Sequence, residues 1–303
     1  MQIDGKLLAD ALIDYTHTLI QKDLATKGIV PTLVDFCVTP KSDDWAFIKM
    51  KQKIAQRVGV NFVAKIYETI PRYMQLVKDI TNASQDKSSH SIIIQRPLPP
   101  LLDTSGLTKA IPIDMDIESK NPKSLYTAPI ALATMTILKH IYMTDSCDPV
   151  DFIYNPTIDN GPMKKILRNK KIVVVGKGQT GGGPICQFLT KTNISFVNLT
   201  SKTPDPAQYL KNADIIISAV GKKVITADMI KSNVVLLTAG LRFVDGKWKG
   251  DFDEDEIREK AAHFTPTPGG IGPLDVAFVC YNTYLAALHK FHHPKVTTLS
   301  KNS

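Results

Sequence analysis

Residues 171–184, KIVVVGKGQTGGGP, constrain the fold of this 303-residue chain more than any other stretch. Residues 171–175 form an apolar, β-branched run of the kind buried in a parallel sheet. The run ends on Gly176-Lys177-Gly178-Gln179-Thr180-Gly181, a G-x-G-x-x-G turn that opens a predicted helix. Such glycines let the backbone turn tightly and approach a pyrophosphate, and the helix N-terminus offers it N–H groups. An ordinary glycine-rich turn shares the pattern. The strand before it and the helix after it favour a nucleotide site.

The next predicted strand, 193–199, narrows the nucleotide. An NAD site places Asp or Glu near the end of this strand, on the ribose 2′-hydroxyl. The chain has Thr200-Ser201-Lys202-Thr203 instead. Hydroxyls and a cation suit a 2′-phosphate, and Lys177 adds a second positive charge, so NADP is favoured over NAD. Lys202 also fits as a plain solvated loop lysine.

Before the glycine turn, helices alternate with strands, which implies a parallel sheet covered on both faces. Residues 5–25, 43–58 and 70–80 have helical spacing, and 31–38, 60–66 and 91–94 read as strands. Residues 129–142 form a long apolar helix. Residues 144–162, rich in Asp, Asn and Pro, read as a linker or surface excursion. Beyond the turn, strands are predicted at 172–175, 195–199, 215–219, 234–238 and 263–265, and a last helix at 273–288. The fold class is α/β with two α/β domains. The length agrees with two domains, and 43% hydrophobic residues can build their cores.

The formal charge of +8 invites a nucleic-acid reading. The lysines are scattered, with no basic block interleaved with aromatics, so no nucleic-acid partner is expected. A positive field equally attracts polyanionic small molecules. Cys37, Cys147, Cys186 and Cys280 make no C-x-x-C pair, which signals neither a zinc site nor a disulfide framework. Reduced thiols, no apolar signal core and no apolar run near 18 residues give the expectation of a cytoplasmic protein without a membrane span. His289, His292 and His293 crowd the C-terminal end, where a helix end followed by a Pro294 stop accounts for them better than a metal.

Two further runs carry chemistry. Phe47 and Lys51 are four apart on a predicted helix and share a face, whereas Lys49 and Lys53 point elsewhere. Alone, Lys51 would be one more surface lysine. Its standing comes from Gln95-Arg96-Pro97-Leu98-Pro99, which leaves a parallel strand at its C-terminal end, where ligands bind. Asp114-Met115-Asp116 follows in a predicted loop. A carboxylate there suits a two-donor amidine-like edge, or serves as a cap or turn residue. The second run, Thr265-Pro266-Thr267-Pro268-Gly269-Gly270-Ile271-Gly272-Pro273, is a constrained loop before the last helix. It is either a connector or a face toward a nicotinamide.

In this order, the pieces resemble one family: bifunctional methylenetetrahydrofolate dehydrogenase/methenyltetrahydrofolate cyclohydrolase. Ile3-Asp4-Gly5-Lys6 is similar to its I-D-G-K start, and FIKMKQK at 47–53 to its Y-V-x-x-K-x-K helix. QRPLP at 95–99 matches Q-L-P-L-P, and Asp114 to Asp116 sits at K-D-V-D-G. Residues 176–184 answer to G-R-S-x-I-V-G-x-P, 201–203 to H-S-K-T, and Gly250-Asp251 to G-D-V. PGGIGPL at 268–274 is close to P-G-G-V-G-P-M, so the resemblance covers nearly the whole chain.

The resemblance implies a catalytic folate-binding domain at 1–147 plus 274–303 and a Rossmann NADP-binding domain at 148–273. The last helix would return to the first domain, and the folate would lie between the two. Lys51 would be the catalytic lysine, Gln95 its hydrogen-bond partner, and Asp116 the holder of the pterin ring. Phe47, Pro97, Pro268, Gly269 and Gly270 would contact substrate. Gly176, Lys177, Gly178, Gly181, Ser201, Lys202, Ala219, Gly221 and Gly240 would lie along the cofactor. No metal is implied, and the assembly would be a homodimer acting on tetrahydrofolate derivatives. Methylene-folate oxidation needs positioning more than a strong base. Methenyl-folate hydrolysis needs proton shuttling, for which a lysine with a pKa lowered by partial burial serves.

The chain also departs from the family pattern. Phe47 replaces the motif tyrosine, Ile117 the glycine after the second aspartate, and Lys177-Gly178 the Arg-Ser of the cofactor turn. Two residues are missing just before the aspartates. Asp275 replaces a threonine, and Thr238-Ala239-Gly240-Leu241-Arg242 replaces D-V-G-I-N. The alternatives are therefore a dehydrogenase with weak cyclohydrolase and a non-catalytic folate- or nucleotide-binding homologue.

Overall fold

Thr32–Val38 and Ile172–Val175, two of the apolar runs, each pair on both sides with parallel neighbours. The computed structural model describes residues 1–102, 104–143 and 146–293. Pro294, expected as a helix stop, and the end of the expected C-terminal segment lie outside these residues.

The chain forms two compact units. Met1–Tyr15 with Thr127–Phe278 make one, and Thr16–Tyr126 with the chain from Val279 onward make the other. Helix α1 (Gly5–Asp23) runs through both segments of chain. The second unit holds β1 (Thr32–Val38), α2 (Ser42–Val58), β2 (Asn61–Tyr67), α3 (Tyr73–Gln85), β3 (Ser91–Ile94) and α4 (Thr104–Ala110). Its sheet has the order β2-β1-β3 and is wholly parallel. Every residue of β1 is buried, whereas β2, at the edge, leaves Asn61, Ala64 and Lys65 exposed. Phe36, Leu76, Ile80, Ile92, Leu107 and Met115 form the core on one side of this sheet.

The first unit holds α5 (Pro129–Tyr142), α6 (Pro156–Leu167), β4 (Ile172–Val175), α7 (Gly182–Lys191), β5 (Val197–Leu199), α8 (Pro206–Asn212), β6 (Ile215–Ser218) and β7 (Val234–Thr238). A hairpin of β8 (Arg242–Val244) and β9 (Lys247–Lys249), then α9 (Glu254–Ile257) and β10 (Ala261–Phe264), complete it. The five-stranded parallel sheet has the order β10-β7-β6-β4-β5. Gln2 bridges to Phe264, and Ile3 N donates to Phe264 O at 2.8 Å, so the first residues lie along β10. Helix α10 (Ile271–His292) begins in this unit and continues in the other. It is apolar enough to cross a membrane by length and composition, but Phe278, Cys280 and Thr283 on it are fully buried.

The expected linker at 144–162 is corrected in part. Its second half is the start of α6, with Met163 and Leu167 buried. Asn155 caps that helix by accepting from Thr157 N at 3.0 Å, and Pro156 stands at its first position. The Asn and Pro that read as loop are helix-start residues. Thr144 and Asp145 of that stretch lie outside the described residues. The hairpin was not anticipated, although Asp245-Gly246 carries its signal. Both residues have positive φ, 51° and 74°, as a type I′ turn requires.

Candidate functional site

On α2, Ile48, Lys51, Ala55 and Val58 are all buried, so the lysine occupies a core-facing position in an apolar stripe. Lys51 is 5% exposed, while Lys49 and Lys53 face solvent. Its Nζ donates to Gln95 Oε1 at 2.7 Å, which brings together the two candidates expected to meet. Gln95 is held by the sheet: its N–H donates to Phe36 O on β1 at 2.8 Å. Phe47 lies half-buried one turn before the lysine, and Pro97 is exposed.

The sequence reading missed the third member. Lys51 Nζ also donates to the carboxylate of Asp35, which is 0% exposed in the middle of β1. Burial pushes the Asp35 carboxyl above the usual range, against the opposing pull of Lys51. The lysine is thus not buried alone: a carboxylate shares its site. The available signal was one acid inside the otherwise apolar run TLVDFCV.

Asp116 is buried and stands apart from this contact. Its carboxylate accepts from Asn121 N at 2.7 Å and Lys120 N at 3.2 Å, and neither Lys51 nor Gln95 donates to it among the described residues. Desolvation raises its pKa, and those two backbone bonds oppose the rise. A cavity of about 600 Å³ beside β2 and α3, lined by Val63, Tyr67, Asp79 and Asn82, contains none of the sequence candidates.

The second group of candidates lies in the other unit, at the C-terminal ends of β4 and β6. The strand order reverses there, with β5 on one side of β4 and β6 on the other. A crevice for ligands opens at such a reversal. Gly176 has φ 100°, and a Cβ on it would fall 2.7 Å from Ala219 O. A Cβ on Gly181 would fall 2.8 Å from the Ala219 side chain, and one on Gly182 2.3 Å from Gly176 O. These glycines are required by close packing of the turn against the end of β6. Gly178 differs: a Cβ there would meet nothing within 4 Å, so its surroundings are open. Lys177, Ser201 and Lys202 are all exposed around this turn. Asn198, also missed, ties the turn to β5: its Nδ2 donates to Gly176 O at 2.8 Å and Val174 O at 3.0 Å.

Asp251 organises the facing loop. Its buried carboxylate accepts from Ser218 Oγ at 2.5 Å, from Val220 N and Gly221 N at 2.8 Å, and from Lys222 N at 3.1 Å. Gly240 is placed by the same carboxylate, since a Cβ on it would lie 2.2 Å from Asp251 Oδ1. In the 265–273 loop, Gly269 has φ 109° and Pro268 is exposed. A Cβ on Gly270 would meet Pro266 O at 2.7 Å, and one on Gly5 would meet Gly270 O at 2.1 Å, so this loop is packed against the start of α1. A tight glycine turn at the sheet reversal, open at Gly178 and ringed by lysines and a serine, fits the diphosphate of a dinucleotide.

Residues 3–118 match the family described as "Tetrahydrofolate dehydrogenase/cyclohydrolase, catalytic domain", and residues 162–291 its "NAD(P)-binding domain". A "Bifunctional protein FolD" of Macrococcus caseolyticus is 30% identical over 297 residues, covering 94% of this chain and 96% of its own. A methylenetetrahydrofolate dehydrogenase of the silkworm Bombyx mori superposes with a TM-score of 0.80 at 25% identity, covering 96% of this chain and 99% of its own. A FolD enzyme of Campylobacter jejuni gives a TM-score of 0.82 at 24% identity over 95% and 98% of the two chains.

Proposed function

Since the chain belongs to the tetrahydrofolate dehydrogenase/cyclohydrolase family, we infer that it oxidises methylenetetrahydrofolate and hydrolyses the methenyl product to formyltetrahydrofolate. The observation that carries this reading is the hydrogen bond from buried Lys51 Nζ to Gln95 Oε1 at 2.7 Å. A buried lysine with a glutamine and a carboxylate on it is arranged for proton traffic rather than for solubility.

A bound nicotinamide cofactor would supply the hydride acceptor for the bridging methylene carbon. The chain's own residues supply position. The 176–181 turn would hold the cofactor's diphosphate, and the ring of Phe47 offers the folate a stacking face. An ammonium has three N–H groups. Asp35 and Gln95 engage Lys51, which leaves one direction for the reacting folate. Asp116 is the proposed holder of the pterin ring: its carboxylate accepts from two backbone N–H groups, which fix it in place, and keeps further lone pairs for a donor edge. The test is to follow reduced-cofactor formation and methenyl-folate hydrolysis separately on one purified sample. Both are expected, and absence of both overturns the reading.

The nucleotide domain is of the NAD(P)-binding kind, and the finer choice we propose is NADP. The support is the end of β5, which leads through Leu199 into Thr200-Ser201-Lys202 with no acid for a ribose 2′-hydroxyl. The ratio of kcat/KM for NADP over NAD should exceed one. It should fall roughly tenfold in Lys177→Ala or Lys202→Ala, as loss of a charged hydrogen bond of about 1.5 kcal/mol predicts. Equal use of NAD in the wild type refutes the choice. A ratio unmoved in both variants refutes the residues.

A further inference from the structure

The Lys51 contact contains a buried acid whose presence the folate chemistry above leaves unexplained. Asp35 sits at the centre of β1, paired with Ala64 on β2 and Ile93 on β3, where an apolar side chain would pack without desolvating a charge. It is 0% exposed, and its Oδ1 has no hydrogen-bond partner among the described residues. Its other oxygen is spent on Lys51. The carboxylate therefore has one evident neighbour to act on.

Resting on the folate reading, we propose that Asp35 is a positioning residue that keeps Lys51 in its ammonium form, so that the lysine serves as the proton donor in methenyl-folate hydrolysis. Water adds through its oxygen to the methenyl carbon. The carbon–nitrogen π pair moves onto the ring nitrogen, and one water proton leaves to solvent. The Lys51 ammonium then protonates that nitrogen as its bond to carbon breaks. The carbinol O–H proton passes to the Lys51 amine as the formyl C=O forms. The ammonium is regenerated, one proton is released in all, and nothing is oxidised or reduced. Without the Asp35 charge, burial would favour the amine over the ammonium, and the donor would be lost at lower pH.

The other titratable groups around the pair do not substitute for it. Asp44 on α2 and Glu118 beyond Asp116 are acids that disfavour the ionised Asp35. Burial pushes the Cys37 thiol on β1 up to about 11 and the Cys280 thiol on α10 up to about 12, so both stay neutral through the working range.

The test is the pH profile of hydrolysis in the wild type and in Asp35→Asn, which keeps the shape and a hydrogen-bonding oxygen. The alkaline limb should move to lower pH by about one unit or more, a tenfold change in the protonation equilibrium. Hydrolysis should fall much further than hydride transfer at neutral pH. Should Asp35→Asn not fold, Asp35→Ala gives the second test: added formate should return the alkaline limb toward the wild-type position. An unmoved limb in Asp35→Asn, or no response to formate in Asp35→Ala, with both wild-type activities present, overturns the Asp35 role alone. Absence of hydrolysis in the wild type overturns this role, and absence of hydride transfer as well overturns the folate reading with it.

Discussion

Lys51→Met should remove methenyl-folate hydrolysis and weaken the fold at neutral pH more than at acid pH. A positioned acid–base group contributes about 10²–10⁴ in rate, so hydrolysis should fall by roughly that factor. Folate should still bind, because the ring-stacking face at Phe47 is untouched. The stability effect comes from Asp35, left fully buried with no countercharge. Breaking such a pair by removing one partner costs about 3–5 kcal/mol. The sign of the pH dependence follows from the direction of the Asp35 shift. Its folded carboxyl lies above the ordinary 3.8, and Lys51 is among the groups that hold it down. In the variant the folded state therefore binds the Asp35 proton more tightly than the unfolded state does. That stabilising contribution is full below the ordinary value and is lost as pH rises through the folded one. The gap in Tm between wild type and Lys51→Met should accordingly narrow from pH 7 toward acid. A second change, Asp35→Leu, made on top of Lys51→Met should recover Tm at pH 7, since removing both charges removes the conflict. Wild-type hydrolysis in Lys51→Met rejects the catalytic assignment. Lys49→Met and Lys53→Met, at exposed positions, should do far less.

Asp251→Ala should damage the nucleotide domain at two levels. Ser218 Oγ and the N–H groups of Val220, Gly221 and Lys222 all lose their acceptor. Ser218 is fully buried, whereas the loop N–H groups reach water more easily, so the expected loss is about 3 kcal/mol, or roughly 6–12 °C in Tm. The loop 219–222 is then no longer held against the glycine turn, and Ala219 is what that turn packs on. The KM for the dinucleotide should rise about tenfold or more. Asp251→Asn keeps one acceptor oxygen and should fall between the two. If Asp251→Ala melts early yet keeps its cofactor KM, the carboxylate supports the domain without shaping the site.

What could be read from the chain depended on whether a local pattern had one physical meaning. The run at 91–94 becomes β3 at the expected bounds, because three consecutive isoleucines ahead of Gln95 favour a buried strand. The glycine turn was legible because tight packing admits nothing larger, and the distances at Gly176 and Gly182 show that packing. The contact of Lys51 with Gln95 was legible because the standing of the lysine came from the Gln95 run and not from its own helix. Asp35 was not, since the run around it reads as apolar on average and the partner that explains it is on α2. Asp116 shows the same limit. Its sequence neighbourhood allowed either a substrate contact or a turn residue, and only the fold reveals that Lys120 and Asn121 donate to it. The Asn and Pro residues near 155 misled because loop starts and helix caps use the same alphabet.

The pairing of the first residues with β10 has a consequence for how the molecule is made. Strand β10 is the outermost strand of its sheet, and a bare sheet edge recruits other strands. Here Gln2 bridges to Phe264, and Phe264 N donates to Met1 O at 3.0 Å, so residues 1–3 cover part of that edge. The cover is synthesised long before the strand it protects. Residues 1–3 stay without this partner until residue 264 has left the ribosome. Contacts of such long sequence separation are slow to close. Through that interval it is residues 1–3, not the edge itself, that lack their partner, and unpaired segments of this kind are prone to sticking.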